Sequence, residues 1–255
     1  MRIGTWNVNS LRVRMQHLND WLATDPVDVL GVQEIKMQNE QFPHEALQAA
    51  GWKAVSNGQK TYNGVALMAR QDIEDVVMDI PGFDDEQKRV IAGTVGGVRV
   101  ICVYVVNGQS VGSEKFAYKL RWLDALCEYV HQVLGTHDKV AIVGDYNIAP
   151  RAEDTHDAQK WEGGILCSDQ ERARLQRLLD LGLSDCFDAK PPEGNRFTWW
   201  DYRQAAFRRN LGLRIDHVLA SQPLVAKLDR LQIDLTPRKL ERPSDHTPVI
   251  AHFKL

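Results

Sequence analysis

Short apolar runs of strand length alternate along this chain with longer amphipathic stretches. Four of these runs are rich in β-branched residues and apolar at successive positions: 27–32 (VDVLGV), 64–69 (GVALMA), 98–106 (VRVICVYVV) and 140–143 (VAIV). Runs of this kind are typical of strands that are covered on both faces. A further strand is predicted at 248–253. The pattern therefore predicts a protein in which helices cover β-sheets.

Three amphipathic stretches between the apolar runs predict helices. The first covers 11–22 and ends before Asp25-Pro26, since proline and the residue before it disfavour helix. The second covers about 115–134, where apolar residues recur at three- and four-residue steps. These residues are Phe116, Leu120, Leu123, Leu126, Cys127 and Val130. The third helix covers 172–181 and is closed by a glycine.

The composition is that of an ordinary globular protein. Of the 255 residues, 44% are hydrophobic and 25% are charged, which excludes a disordered or low-complexity chain. No Gly/Ser-rich or Pro-rich linker and no repeat of solenoid period divides the sequence. We therefore predict one α/β domain over residues 1–255.

The sequence predicts a cytoplasmic, monomeric protein without a membrane segment. Its longest apolar run, 100–106, is far shorter than the about 20 residues that span a bilayer. Residues 1–10 (MRIGTWNVNS) contain no apolar stretch of signal-peptide type. The four cysteines form no C-x-x-C pair, so we expect reduced and mostly buried thiols. They are Cys102, Cys127, Cys167 and Cys186.

Polar residues follow the predicted strands at the points where the strands end. Five segments have this character: Trp6-Asn7-Val8-Asn9, Val32-Gln33-Glu34, Gly144-Asp145-Tyr146-Asn147, Arg214-Ile215-Asp216-His217 and Ser244-Asp245-His246. Taken singly, each has an ordinary structural explanation, such as a helix cap or an Asx turn. Functional sites of α/β proteins collect at one end of the sheet. One shared site explains five such segments better than five coincidences do.

The residue types in these segments favour a site for a hard divalent cation. Glu34, Asp145 and Asp245 supply carboxylates, while Asn7 and Asn147 supply amides. Oxygen ligands without a cysteine cluster suit Mg²⁺, with Mn²⁺ as a substitute, and Mg²⁺ binds through one or two carboxylates together with substrate phosphates.

A histidine with a carboxylate partner completes the candidate chemistry. His246 and Asp216 fit the arrangement in which an acidic side chain orients an imidazole. Metal, carboxylates, amides and histidine together indicate hydrolysis of a phosphate ester, in which water is positioned and charge on the phosphorus oxygens is neutralised.

Charge is distributed unevenly along the chain. The formal net charge of −3 excludes a polyanion binder that relies on whole-molecule charge. Residues 195–242, however, contain ten Lys/Arg and five Asp/Glu, a local charge of +5, interleaved with Trp, Tyr and Phe. Such a segment is typical of proteins that follow a phosphate backbone and stack on bases or sugars. A solvated charged surface is the simpler alternative.

The five polar segments, in this order, resemble the motifs of the exonuclease III family. This is the exodeoxyribonuclease III and abasic-site (AP) endonuclease branch of the endonuclease/exonuclease/phosphatase superfamily. The resemblance extends over almost the whole chain, and the segment 197–203 (FTWWDYR) resembles the bacterial form in particular. It implies a four-layer α/β sandwich, in which two packed, mixed and mainly antiparallel sheets are flanked by helices. It also implies Mg²⁺-dependent cleavage of DNA phosphodiesters.

The resemblance also implies a role for each matching position. The implied catalytic residues are Tyr104, Asp145, Asn147, Asp216 and His246. The implied metal-site residues are Asn7, Glu34, Asp145, Asn147, Asp245 and His246, with Glu34 as the principal ligand. The implied substrate-binding residues are Trp199, Leu213, Asn107 and Arg203. In this scheme Asp145 orients or deprotonates the attacking water, Asn147 and Tyr104 contact the phosphate, and Trp199 packs against the sugar.

The implied substrate is double-stranded DNA with abasic sites, nicks or 3′ ends. The expected activities are 3′→5′ exonuclease, 3′-end-cleaning phosphodiesterase and AP endonuclease. The sequence departs from many family members at Leu213, at Val106 and in the loop 160–168, and we expect these positions to set the balance among the activities.

Two alternatives differ in function class. A phosphatase of the same superfamily would act on an ester outside nucleic acids. A non-catalytic nucleic-acid-binding regulator would have lost part of the site, whereas all five of its chemically essential residues are present. These are Glu34, Asp145, Asn147, Asp245 and His246.

Overall fold

The computed structural model describes residues 1–24 and 27–255. This part of the chain forms twelve strands: β1 (Arg2–Asn7), β2 (Val29–Gln33), β3 (Lys53–Asn57), β4 (Val65–Ala69), β5 (Glu74–Met78), β6 (Val90–Val95), β7 (Val98–Tyr104), β8 (Val140–Asp145), β9 (Leu183–Asp185), β10 (Asp216–Ser221), β11 (Leu228–Ile233) and β12 (Val249–Phe253).

The described part of the chain also forms seven α-helices: α1 (Leu11–Thr24), α2 (His44–Ala49), α3 (Glu114–Leu134), α4 (Ala158–Trp161), α5 (Asp169–Asp180), α6 (Cys186–Ala189) and α7 (Gln222–Val225). Short 3₁₀ turns lie at Asn39–Gln41, Ala152–Asp154, Arg203–Ala205 and Pro237–Lys239. Among the described residues, no helix is both long and apolar enough to cross a membrane.

The strands form two six-stranded sheets of matching design. The first sheet has the order β11-β12-β1-β2-β4-β3, and the second has the order β5-β6-β7-β8-β10-β9. Each sheet contains one parallel pair, β1 with β2 and β7 with β8, and its other neighbours are antiparallel. Because the ends of parallel strands lie at the same edge of a sheet, β1 and β2 bring Asn7 and Glu34 together, and β7 and β8 bring Tyr104 and Asp145 together.

Three apolar layers hold the sheets and helices together. One layer lies between the two sheets and includes Leu67, Val100 and Val143. A second lies between the second sheet and the helices α3 and α5, and the third lies between the first sheet and the helices α1 and α2. Strands β2, β4 and β8 are therefore buried on both faces. The predicted four-layer α/β sandwich with mixed sheets is confirmed.

The sheets approach each other closely where β2 crosses β7 and β8. A Cβ atom on Gly31 would lie 2.7 Å from Val143 Cγ2 and 2.9 Å from Cys102 Sγ, so a larger residue would push the sheets apart. The four cysteines are free and buried, as predicted.

Most predicted elements are present with shifted ends. The helix predicted at 115–134 begins one residue earlier, after the Ser113 cap, and the one predicted at 172–181 is α5. The helix predicted at 11–22 extends to Thr24, and its predicted stop at Asp25-Pro26 lies outside the described residues.

Candidate active site

The predicted polar segments meet at one edge of the two sheets. Asn7 ends β1 and Glu34 directly follows the parallel neighbour β2, while Asp145 ends β8 opposite Asp216, the first residue of β10. His246 lies just before β12. The sheets face each other at this edge, so residues distant in sequence come within hydrogen-bond range.

Glu34 and Asn147 have left-handed backbone conformations. The φ angles are 54° at Glu34 and 49° at Asn147. Non-glycine residues adopt this conformation only where the surrounding structure compensates for the strain, which is common in functional sites. At Asn147 one compensating contact is the bond that its N–H donates to Asp145 Oδ1 at 2.9 Å.

Glu34, Asp145 and His246 form the centre of the site. One ligand-type atom from each lies within 4.8 Å of the others. The Asn7 Nδ2 group lies between the carboxylates and donates to Glu34 Oε1 at 2.9 Å and to Asp145 Oδ2 at 3.0 Å. His246 Nε2 lies 3.6 Å from the same Asp145 oxygen. The two carboxylates and the imidazole therefore face one small space.

Asp216 holds the imidazole of His246 from behind. His246 Nδ1 lies 2.9 Å and 3.1 Å from the two Asp216 carboxylate oxygens. Burial disfavours the charged imidazole, but Asp216 and then Asp145 outweigh burial and raise the pKa of His246 to about 10. The imidazolium therefore directs an Nε2–H group toward Asp145 and the open side of the site.

Burial dominates the titration of Asp145. It raises the pKa of the Asp145 carboxyl to about 7, although His246 opposes the shift. A carboxyl in such an environment is suited to accept a proton near neutral pH.

The charges of the site match a divalent cation. Four carboxylates and two cationic side chains of the site contact one another directly or through the side chains of Asn7 and Asn9. The formal charge of these six groups is −2. They are Glu34, Asp145, Asp216, Asp245, Lys36 and His246. A bound divalent ion would neutralise this excess. The carboxylate oxygens of Glu34 and Asp145 are hard ligands that fit Mg²⁺ or Mn²⁺.

Two amides and a tyrosine form the other wall of the site. Asn147 Nδ2 donates to Val105 O at 3.0 Å and makes a longer hydrogen bond to Asp145 Oδ2 at 3.4 Å. Asn107 Nδ2 donates to Asn147 Oδ1 at 3.1 Å. The Tyr104 hydroxyl interacts with Glu34, and burial together with Glu34 raises the pKa of Tyr104 well above its ordinary value. The phenol therefore stays protonated and available as a donor.

Asp245 and Asn7, two predicted metal-site residues, make hydrogen bonds within the site. Asp245 lies outside the Glu34–Asp145–His246 group, because its oxygens accept hydrogen bonds from Asn9 Nδ2 and Trp199 Nε1, each at 2.9 Å. Asn7 turns its nitrogen to the carboxylates, while its oxygen accepts from the Asn9 N–H at 2.9 Å. In this arrangement Asp245 connects the site to Trp199, and Asn7 holds two carboxylates in place.

The predicted substrate-binding residues lie at the rim. The backbone of Trp199 bridges to Leu213 on one side and to His246 on the other. Leu213 itself is 0% exposed and packs against Trp199, so it lies behind the rim rather than on it. Arg203 is highly exposed and pairs with Asp201 at 2.6 Å. The neighbouring Trp200 is fully buried in the core.

Several residues of the site were missed at the level of sequence. Lys36 lies 2.8 Å from Glu34 Oε2 and 2.6 Å from Asn9 Oδ1. Arg14 donates to Asn9 O at 2.5 Å, to the Tyr202 hydroxyl at 3.1 Å and to Pro243 O at 2.9 Å. Asn9 and Lys36 belong to segments that carry other predicted residues, and that adjacency is the signal that could have identified them.

The basic segment 195–242 does not form one surface. Arg214 and Arg238 are buried, and Lys227 and Arg230 lie toward the end of β11 that pairs with Phe253, away from His246. The basic residues that are exposed on segments bordering the site are Arg203, Arg208, Arg209, Lys239 and Arg242. The local charge of +5 therefore overstates the basic surface near the site.

Comparison with known proteins agrees with this fold. Residues 4–246 match the model of the endonuclease/exonuclease/phosphatase family. The chain is 36% identical to exodeoxyribonuclease III of Haemophilus influenzae, with 100% of both chains covered. Its structure resembles the 3′–5′ exonuclease NExo of Neisseria meningitidis, with a TM-score of 0.98, 51% identity and full coverage of both chains. It also resembles an AP endonuclease of Archaeoglobus fulgidus, with a TM-score of 0.95, 34% identity and full coverage of both chains.

The chain therefore belongs to the endonuclease/exonuclease/phosphatase family. Within that family it belongs to the exodeoxyribonuclease III branch, because the similarity to exodeoxyribonuclease III covers both chains completely. The predicted resemblance is confirmed.

Proposed function

We propose that this protein is a divalent-metal-dependent DNA-repair nuclease that hydrolyses phosphate esters at 3′ ends, nicks and abasic sites of double-stranded DNA. The observation that carries the proposal is the convergence of Glu34, Asp145 and His246 within 4.8 Å. Relatives named as exodeoxyribonuclease III, 3′–5′ exonuclease and AP endonuclease support this nuclease function.

The residues of the chain divide the work of hydrolysis in this proposal. Asp145, buried and within 3.6 Å of His246 Nε2, accepts the proton of the attacking water. His246 and the amide of Asn147 stabilise the negative charge that develops on the phosphate oxygens. Asp216 is the residue that keeps the imidazole charged and oriented. The Tyr104 hydroxyl donates a hydrogen bond to the phosphate.

A divalent cation complements these groups. When bound, the ion acts as a Lewis acid that neutralises charge on the phosphate and the leaving oxygen. Glu34 and Asp145 are the carboxylates that would hold it, and Mg²⁺ is the proposed ion, with Mn²⁺ as a substitute. Asn7 fixes the separation of the two carboxylates and so presets the space between them.

Processing of 3′ ends is the proposed leading activity. The neighbours named as a 3′ phosphatase and a 3′–5′ exonuclease are 50% and 51% identical to this chain, whereas the AP endonuclease neighbour is 34% identical. On the DNA, Trp199 packs against the terminal sugar, with Leu213 supporting it. Arg203 contacts the backbone, and Asn107 holds Asn147 in place. We propose a cytoplasmic monomer that works as a single catalytic domain.

A gel assay with three duplexes tests this proposal. The substrates carry a 3′-phosphate at a nick, a recessed 3′ end and an abasic-site analogue, and a soluble phosphate monoester is assayed alongside them. With Mg²⁺ we expect cleavage of all three duplexes, fastest at the 3′-phosphate, and no cleavage with EDTA. Equal turnover in EDTA would contradict a metal-dependent site. Preference for the soluble ester would indicate the phosphatase alternative.

Replacement of the principal ligand tests the metal assignment. Glu34→Gln keeps the shape of the side chain but removes its negative charge, so we expect the Mg²⁺ concentration for half-maximal activity to rise by about 10- to 100-fold. A magnesium titration of 3′-phosphate removal measures this change. Glu40→Gln, at an exposed position on the same stretch of chain, is the matched control. An unchanged magnesium requirement in Glu34→Gln would contradict the role of Glu34.

A further inference from the structure

A fully buried lysine lies directly beneath the proposed active site. Lys119 belongs to α3 and is 0% exposed, as is Glu171 of α5, with which it forms an ion pair. Lysine is almost never fully buried unless it is paired. It occupies the apolar stripe of the helix between Phe116 and Leu123, where an apolar side chain would satisfy the packing.

The ammonium of Lys119 holds the backbone of both site amides. Its Nζ atom donates to Asn147 O at 2.7 Å and to Asn107 O at 3.1 Å, and its third contact is Glu171 Oε1. The three protons of the ammonium group are thus matched by three acceptors. Two of these acceptors belong to residues that form the phosphate-facing wall of the site.

Glu171 extends this connection to the loop that precedes α5, residues 162–168. Its Oε1 accepts from the Leu166 N–H at 3.0 Å, and its Oε2 accepts from the Ser168 N–H at 3.1 Å. Leu166 has a left-handed φ of 70°, and its carbonyl accepts from the Ala149 N–H at 2.8 Å. The ion pair therefore joins two strained residues, Leu166 and Asn147, on adjacent loops.

Stability alone is a poor explanation for this pair. Removing two charges from water is costly, and well-packed apolar replacements of buried pairs are often neutral or stabilising. An apolar residue at position 119 would fill the same space but could not hold the carbonyls of Asn107 and Asn147.

We propose that Lys119 is a positioning residue, which fixes the backbone of Asn107 and Asn147 for the phosphate and links that backbone to the loop 162–168 through Glu171. This role rests on the proposed phosphodiesterase function. Lys119 touches no substrate, so its removal should disturb the orientation of the amides and leave the DNA-binding rim intact.

The test uses the double variant Lys119→Met/Glu171→Gln, because Lys119→Met alone would leave a buried, unpaired carboxylate. We expect the double variant to fold with a melting temperature somewhat below that of the wild type, because the carbonyls of Asn107 and Asn147 lose their donor and the single oxygen of a glutamine at position 171 cannot accept from both Leu166 and Ser168. Its kcat on the 3′-phosphate duplex should fall by roughly 10²-fold, with KM within about threefold of wild type. Arg177→Met is the matched control, since it removes exposed ion pairs between the same two helices and should leave kcat unchanged.

Hydrogen exchange supplies a readout that does not depend on activity. Backbone amides in 145–149 and 164–168 should exchange at least about tenfold faster in the double variant, while those of β8 residues 140–143 stay protected. Unchanged kcat together with unchanged exchange would overturn the positioning role, as would a rise in KM alone. Failure of the wild type to cleave any duplex would contradict the proposed function, and the exchange result would still decide the role of Lys119.

Discussion

Asp145→Asn is expected to abolish DNA cleavage while leaving the fold as stable as the wild type or more stable. An amide cannot accept the proton of the attacking water, so kcat for all three duplexes should fall by at least roughly 10²- to 10⁴-fold. The substitution is nearly isosteric. Its single oxygen can accept from Asn7 Nδ2 or from the Asn147 N–H but not from both, and the removal of a buried charge offsets the loss of that one hydrogen bond.

The stability half of this prediction follows from the pKa of Asp145. Burial raises this pKa to about 7, above the ordinary value of about 3.9 for an unfolded chain. A carboxyl with a raised pKa in the folded state lowers stability progressively as the pH rises from about 4 to 7. In the absence of metal, the variant should therefore melt at an equal or higher temperature than the wild type at pH 7.

Calorimetry in EDTA measures the melting temperature of the variant, and single-turnover kinetics in Mg²⁺ measures its rate of cleavage. Asp124→Asn makes the same chemical change at an exposed position of α3 and should preserve both activity and melting temperature. Cleavage by Asp145→Asn within tenfold of the wild-type rate would contradict the base assignment. A large loss of stability would instead identify Asp145 as a structural carboxylate.

The most apolar strands and the long helices could be predicted because each has a strong local pattern. The end of an element depends on side-chain chemistry that the pattern does not contain. Helix α5 begins at Asp169, three residues before the predicted start, because Ser168 and Glu171 form a reciprocal capping box there. The pairing of strands into two sheets rests on contacts between distant residues, and the family resemblance supplied that information.

The site, like the fold, depends partly on local sequence pattern and partly on contacts between distant residues. Its motif residues were recognisable because they follow strands, but the direction in which each side chain points is set by distant partners. Asn7 turns its nitrogen to the carboxylates because Asn9, two residues away, occupies its oxygen. Lys119 was missed since its charge interrupts an apolar stripe without disrupting it. A lysine within the apolar stripe of a predicted helix is the sequence feature that could have identified it.

A second buried network is centred on Arg214, and we expect the stability of the fold to be sensitive to the loss of this side chain. Arg214 donates to Asp154 Oδ1 at 2.8 Å and to Asp185 Oδ2 at 2.6 Å, and all three side chains are buried. Arg214 also lies 3.0 Å from His217 Nδ1, and His217 Nε2 lies 2.9 Å from Ile148 O. This network supports the chain directly after Asn147.

Arg214→Met should lower the free energy of unfolding by about 3 to 5 kcal/mol, because it removes the cation that Asp185 and Asp154 share. Asp154 then keeps only Arg196, whose Nε lies 3.6 Å from Asp154 Oδ1. For a chain of this size the melting temperature should fall by roughly 6 to 20 °C at pH 7. Lys254→Met, which removes an exposed partner of Asp229, is the control and should have no measurable effect on the melting temperature.

The difference between Arg214→Met and the wild type should become smaller in acid. Burial acts to raise the pKa of Asp185, but Arg214 outweighs it and holds this pKa below its ordinary value. In the wild type the resulting stabilisation is complete at pH 7 and is lost only below about pH 4. Without Arg214, burial dominates, so the folded variant takes up a proton on Asp185 as the pH falls from 7 and regains stability.

Urea unfolding at several pH values between 7 and 4 measures this convergence. A constant difference over that range would show that Arg214 contributes through packing rather than through charge.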